Sequence, residues 1–204
     1  MEELWIKKQS RSLALAILAG VAISIGGILY LSVDNKIAAA LMFTVGLYTI
    51  CIQGLNLYTG KVGYLVNKPV SYLMDLLVIW VGNLLGTGIS AFAVKETRIC
   101  NISDTAKQIC QAKIDDGLLS LFLLSIFCGF LMFTAVDGYQ SMHNPVILFM
   151  GVGAFILCGF EHCVADMFYF WVAGIWSVRT VLRILVITLG NSVGGILIPL
   201  AKKL

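Results

Sequence analysis

Apolar residues run through this chain in long blocks, without the alternation of a strand or the narrow stripe of a surface helix. The blocks fall near residues 13–33, 37–66, 71–94, 117–136, 145–178 and 180–200, separated by charged or turn-forming residues. Four of them have the length of about 20 residues that one helix needs to cross a bilayer. The second and fifth are longer than one crossing requires, and each carries polar residues at its middle. These are Gln53-Gly54-Leu55-Asn56-Leu57-Tyr58-Thr59-Gly60 in one and Gly159-Phe160-Glu161-His162-Cys163-Val164-Ala165-Asp166 in the other. Both read as helices broken at membrane depth. Irregular backbone is tolerated there only where protein buries it or a cavity borders it, because a peptide group facing lipid costs several kcal/mol. The breaks therefore mark a pathway, and the pattern predicts an all-α integral membrane protein with six transmembrane helices.

The order of features repeats along the chain. The break at Gly54 is followed by Gly82-Asn83-Leu84-Leu85-Gly86, and the break at Gly159 by Gly190-Asn191-Ser192-Val193-Gly194-Gly195. The breaks are 105 residues apart and the Gly-Asn motifs 108. Each half then holds three spans, and an odd number inverts the second half in the membrane. The expected organisation is a single transmembrane transport domain, 1–204, made of inverted repeats at approximately 13–95 and 117–200. Its broken second and fifth helices meet near the midplane. Small residues around Asn83 and Asn191 suit close helix approach, and a structural role for both asparagines is favoured over substrate contact.

Composition narrows the class. With 59% hydrophobic and only 12% charged residues, the chain has too little polar surface for a water-soluble domain. The net charge of +3 is scattered through loops rather than striped with aromatics, which argues against a nucleic-acid partner. The first apolar segment, Leu13 to Val33, exceeds the core of a signal peptide and lacks a clean cleavage site, so it is expected to stay in the membrane. The 14 Lys and Arg residues divide seven and seven between alternate sides, leaving orientation to a slight bias of short flanks toward both termini inside. Six cysteines show neither a CxxC pair nor Cys/His metal spacing. Cys100 and Cys110 share a polar loop, as a disulfide or as two free thiols. No nucleophile, metal-ligand set or cofactor motif accompanies the acidic residues and histidine of the second break, so neither an enzyme nor a cofactor is expected.

Candidate chemistry gathers at the breaks. A titratable ring such as His162 in an apolar broken helix is costly without a partner or a task, and Glu161 beside it is equally so. The plainer alternative makes Glu161 a cap for freed backbone N–H groups and His162 a hydrogen-bonded structural residue. Thr59 in the opposite break has a hydroxyl for a passing substrate or for a nearby carbonyl. Phe43, Leu47, Leu57, Tyr58 and Phe155 supply apolar constrictions that hinder hydrated ions. Lys113, just before the fourth span, either concentrates anions at a pore mouth or is a solvated loop lysine.

The segment Gly159-Phe160-Glu161-His162-Cys163-Val164-Ala165-Asp166-Met167 resembles the Gly-Phe-Glu-His-Ser-Val/Ile-Ala-Asn-Met signature of the formate/nitrite transporter family. Leu18-Ala19-Gly20, Leu57-Tyr58-Thr59-Gly60, Gly82-Asn83 and Leu189-Gly190-Asn191 extend the resemblance over nearly the whole chain. It implies an aquaporin-like six-helix protomer in a homopentamer, in the cell (inner) membrane with both termini cytoplasmic. It also implies His162 as central pore histidine with Thr59 beside it, Phe43, Leu47, Leu57, Tyr58 and Phe155 along the constrictions, and Lys113 as the outer vestibule lysine. The inner vestibule lysine falls on Lys7 or Lys8. Three positions depart from the pattern: Gly129 stands where many members place an asparagine that bonds the histidine, Asp166 replaces the signature asparagine, and Trp171 stands where a proline often follows. The expected function is a channel or transporter for small monovalent weak-acid anions, formate, nitrite or hydrosulfide, which are protonated near His162 and cross as neutral acids. The competing expectation, from the two half-helices, is a neutral-solute channel for water, glycerol or urea.

Overall fold

The protein is seen as a computed structural model that describes residues 2–204, and among these it is helical with no strand. The helices are α1 (Glu2–Ser32), α2 (Lys36–Gln53), α3 (Tyr58–Lys61, continued by a 3-10 segment, Val62–Asn67) and α4 (Tyr72–Lys95). There follow α5 (Ile102–Asp115), α6 (Leu118–Met142), α7 (Val146–Leu157), α8 (Cys163–Ala173) and α9 (Val178–Ala201). Five of them, α1, α2, α4, α6 and α9, are long and apolar enough to cross a membrane, while α7 and α8 are shorter apolar helices on either side of the second break. Large apolar side chains such as Phe92, Leu119 and Met150 point outward, 70–72% exposed on the isolated chain. Such a surface needs lipid or another protein against it.

Both breaks close by the same local device. Gly54 and Gly159 adopt φ of 63° and 69°, the left-handed region in which an L side chain is strained. The following N–H then reaches five residues back, Leu55 N to Ile50 O and Phe160 N to Phe155 O, both at 2.9 Å. The chain continues extended before α3 and α8 begin at Tyr58 and Cys163.

Most of the polar loop expected around Cys100 and Cys110 is in fact the helix α5, which holds Cys110, with Cys100 in the turn before it. Its polar composition hid it, but Ile102, Ala106 and Cys110 recur every four residues and form a buried stripe against the bundle. Cys100 and Cys110 are free thiols, the first exposed and the second buried.

Helix α1 packs on α4 and α6 on α9 through small residues. A Cβ on Gly86 would collide with the Ile17 carbonyl oxygen of α1, and one on Gly194 with the Ile126 carbonyl oxygen of α6. Gly129 belongs to the second crossing: a side chain there would run into the Asn191 backbone of α9, so no asparagine fits in this packing. Gly86→Ala is expected to destabilise the protein by about 1–3 kcal/mol, because backbone must move to admit the methyl. Thermal melting in detergent checks this, and an unchanged midpoint would show that the crossing tolerates separation.

Candidate permeation site

Two asparagines hold the breaks in place with matching bonds. Asn83 on α4 accepts from Tyr58 N at 2.9 Å, the first residue of α3, and donates to Ala16 O of α1 (2.8 Å) and Asn56 O of the break (2.9 Å). Asn191 on α9 accepts from Cys163 N (2.9 Å), the first residue of α8, and donates to Ser125 O of α6 and Glu161 O of the break, both at 2.8 Å. Each side chain is fully buried and spends its oxygen and one N–H on backbone that the break leaves open, and its other N–H on a carbonyl of the neighbouring helix.

The breaks meet at His162 and Thr59. His162 Nδ1 accepts from Ala165 N at 3.1 Å, capping α8, and Nε2 lies 2.9 Å from Thr59 Oγ1. With Nδ1 accepting, the proton of a neutral ring sits on Nε2 and is donated to the threonine oxygen. Thr59 is fully buried and His162 only 2% exposed. Phe155 stacks on the imidazole at 5.6 Å between centroids, and Phe43 meets Phe155 edge-on at 5.7 Å. Leu47 and Leu57 are buried within the same hydrophobic cluster. Tyr58 is half-buried against this cluster, and its hydroxyl bonds Ser192 of α9 at 2.8 Å.

A recess of about 110 Å³ reaches His162 and Phe155 from the side of Lys113, Asp166 and Tyr169. A tighter one, about 20 Å³, reaches Leu57 and Gly60 on either side of Thr59 in sequence. Lys113 is no solvated loop lysine. It stands on α5 with its side chain 12% exposed, paired with Glu161 and, at 3.0 Å, with Asp166 Oδ1. Burial alone would lower its pKa, but the carboxylates of Asp166 and Glu161 prevail and hold it above the usual lysine value. Arg183 of α9 fastens this end of α5 by donating to Lys113 O at 2.8 Å and to Ile114 O. Glu161 is thus committed to Lys113, and among the described residues no backbone N–H donates to its carboxylate.

Lys8 lies elsewhere, 2.9 Å from Asp75, beside a separate recess with Lys7 and Arg11. The lysine bordering the Leu57 recess is Lys61, which the sequence reading passed over. Its position directly after Leu57-Tyr58-Thr59-Gly60 was the available signal. Trp171 is remote from the pair, packed at 4.8 Å on Trp176 with its carbonyl taken by Lys95.

Comparison with known proteins finds formate channels and a formate transporter among those similar to this chain. The chain is 29% identical over 150 residues to the formate channel FocA of Haemophilus influenzae, covering 66% of this chain and 52% of that one. It is 27% identical to a probable formate transporter of Methanothermobacter thermautotrophicus, covering 90% and 84%. It thus spans about half the length of the first relative and most of the second. A pentameric formate channel solved with formate bound superposes with a TM-score of 0.83 at 27% identity, over 97% of this chain and 96% of that one. A further ion channel of the same family, at 20% identity and a TM-score of 0.77, shares the fold. The family model for formate/nitrite transporters matches residues 4–201, and this multi-pass membrane protein therefore belongs to the formate/nitrite transporter family.

Proposed function

We propose that this protein is a transmembrane channel for small monovalent weak-acid anions, formate first among them and nitrite or hydrosulfide by the same chemistry. The observation that carries the reading is the buried His162–Thr59 hydrogen bond, a single polar station in an apolar surround that includes Phe155, Phe43, Leu47 and Leu57. A bare anion there loses its hydration without a counter-charge, whereas the conjugate acid is neutral and crosses at far lower cost. The histidine supplies or stabilises the proton at the narrowest point, and the threonine hydroxyl orients the acid. Lys61, which forms no ion pair among the described residues, draws anions to one mouth.

The protomer is a single transmembrane domain of six spans, with α2–α3 and α7–α8 each counted as one broken crossing. The matching bonds of Asn83 and Asn191 support two inverted three-helix repeats in an aquaporin-like arrangement, because two unrelated segments would not spend the same three atoms on equivalent partners. Five protomers assemble, each with its own pore, in the cell membrane with both termini cytoplasmic. The outward apolar faces are the surfaces that lipid and neighbouring copies cover.

Proteoliposomes test the function. Under an inward formate gradient, flux is expected well above that of protein-free vesicles and to rise as pH falls. Swelling with glycerol or urea at equal rates, and no formate-dependent flux, would establish a neutral-solute channel in its place.

A further inference from the structure

We infer that the recess beside the first turns of α1 binds the phosphate of a membrane lipid whose headgroup carries net negative charge, held by Arg11 and Lys7 with the Ser12 hydroxyl. The inference uses only the protein's place in a membrane and is independent of what its pathway carries.

The recess has a volume of about 440 Å³ and is lined by Lys7, Lys8, Arg11, Ser12, Leu15 and Asn56, none of which borders the recesses that lead to His162 and Thr59. Lys7 and Lys8 stand four and three residues before Arg11, a spacing at which like charges on a helix repel. The carboxylate that answers them, Asp75 of α4, is already spent: Oδ2 accepts from Lys8 at 2.9 Å and Oδ1 from Gln9 at 2.6 Å. Lys7 and Arg11 join no ion pair among the described residues, and Glu3, one turn before Lys7, does not pair with it. The Ser12 hydroxyl accepts from Asn56 Nδ2 at 3.3 Å, and its own proton has no acceptor among the described residues. An unspent guanidinium, an ammonium and a hydroxyl donor at one recess suit an oxyanion, since arginine offers paired N–H groups to two phosphate oxygens and lysine adds charge.

The position of the recess selects a lipid as the source of that phosphate. The apolar span that begins at Trp5 runs 28 residues to Ser32, about 42 Å at 1.5 Å per residue, against a hydrocarbon core of about 30 Å. Its first turns therefore reach headgroup level, where the exposed Trp5 is an interfacial anchor. Lys7, Arg11, Ala14, Leu18 and Ile25 follow at intervals of four, three, four and seven, so they share one face of α1, and all are exposed. That face turns from basic to apolar directly after Arg11. A lipid meets both parts, its phosphate at Arg11 and an acyl chain along Leu18 and Ile25, whereas a free phosphate meets only the first. A headgroup with its own ammonium would set a further positive charge beside three others, which favours an anionic lipid over a zwitterionic one.

Asn56 ties the recess to the first break. Its N–H donates to Leu15 O and its side chain to Ser12 O, both at 3.4 Å, while its carbonyl accepts from Asn83 at 2.9 Å. A phosphate held by Arg11 and Ser12 braces α1 against that segment, so binding is expected to raise stability.

Melting of the detergent-solubilised protein tests this, with phosphatidylglycerol, with phosphatidylcholine of the same acyl chains, or with inorganic phosphate added, and with assembly followed by size-exclusion chromatography. Phosphatidylglycerol is expected to raise the wild-type midpoint by about 5 °C or more above phosphatidylcholine, and inorganic phosphate to leave it unchanged. Lys7→Gln combined with Arg11→Gln is expected to lose at least about half of that rise, and Arg11→Lys to keep most of it. Lys202→Gln combined with Lys203→Gln removes the same charge from the end of α9 and is expected to keep the whole rise. An equal rise from phosphatidylcholine or from inorganic phosphate overturns the proposal. So does a full rise in the Lys7 and Arg11 variant, or an equal loss in both double variants, which would mark general attraction to surface charge. A Lys7 and Arg11 variant eluting as a smaller assembly overturns it as well, by assigning the recess to a neighbouring copy. Should that double variant not be recovered, Arg11→Gln against Arg11→Lys makes the same comparison at one position, and equal rises in the two overturn the proposal.

Discussion

Replacing His162 by phenylalanine is expected to cut formate flux by roughly 10- to 150-fold and to flatten its pH dependence, while the protein still assembles. The phenyl ring is flat like the imidazole, somewhat larger, and keeps the stack on Phe155, so most of the apolar packing survives. Two polar bonds go. Loss of the Ala165 N–H cap costs about 1 kcal/mol, too little to unfold a membrane bundle. Loss of the Nε2 donor removes the one polar contact to Thr59 and to any substrate beside it. A hydrogen bond to a charged or charging group is worth about 1.5–3 kcal/mol, which is the source of the flux range given. Parallel measurement of Thr59→Val and of the double variant separates the two roles: residues acting as one station give a double variant no worse than the worse single. Flux equal to wild type at every pH would remove the histidine from the mechanism.

Asn191→Ala should prevent recovery of folded protein. Three buried bonds disappear at once and leave Cys163 N and Glu161 O without partners in a region closed to water, while Ser125 O keeps only its bond within α6. At about 1–3 kcal/mol for each of the two orphaned groups and about 1 kcal/mol for the third bond, the loss is a large share of the stability of a typical domain. Asn83→Ala, which strands Tyr58 N and Asn56 O and removes the bond to Ala16 O, should be as damaging. Detergent-solubilised yield and melting temperature measure both. A monodisperse Asn191→Ala protein melting with the wild type would show that water replaces the side chain, and that the breaks are wetter than their burial indicates. A large difference between the two variants would count against equivalent repeats.

Much of the architecture was legible along the chain. Gly54 and Gly159 interrupt apolar stretches too long for one crossing, and both interruptions fall within a few residues of where the pattern put them. Helix α5 was not legible, because 14 residues of mostly polar character outside the membrane look like a loop until the bundle gives Ile102, Ala106 and Cys110 something to bury against. Lys113 was singled out, but its character was not. As a residue before a span it reads equally as an anion-gathering lysine at a pore mouth or as a solvated one, and only the approach of α5 to α8 places it between Glu161 and Asp166. Why Gly129 stands where many family members place an asparagine was not legible either: the glycine answers to the α9 backbone, which lies 62 residues further on.

The sequence by itself determined a helical membrane protein with two broken helices, a histidine in one break and a threonine in the other. Hydropathy, helix length and the left-handed turns at glycine are local properties, written in neighbouring residues. Tertiary structure decided which polar atoms meet: Thr59 with His162 across 103 positions, Asn191 with the opening turn of α8, and one lysine between two carboxylates. Those pairings depend on how closely α1 packs on α4 and α6 on α9. That distance is set by the absence of a Cβ at Gly86 and Gly194, to within a single methyl group.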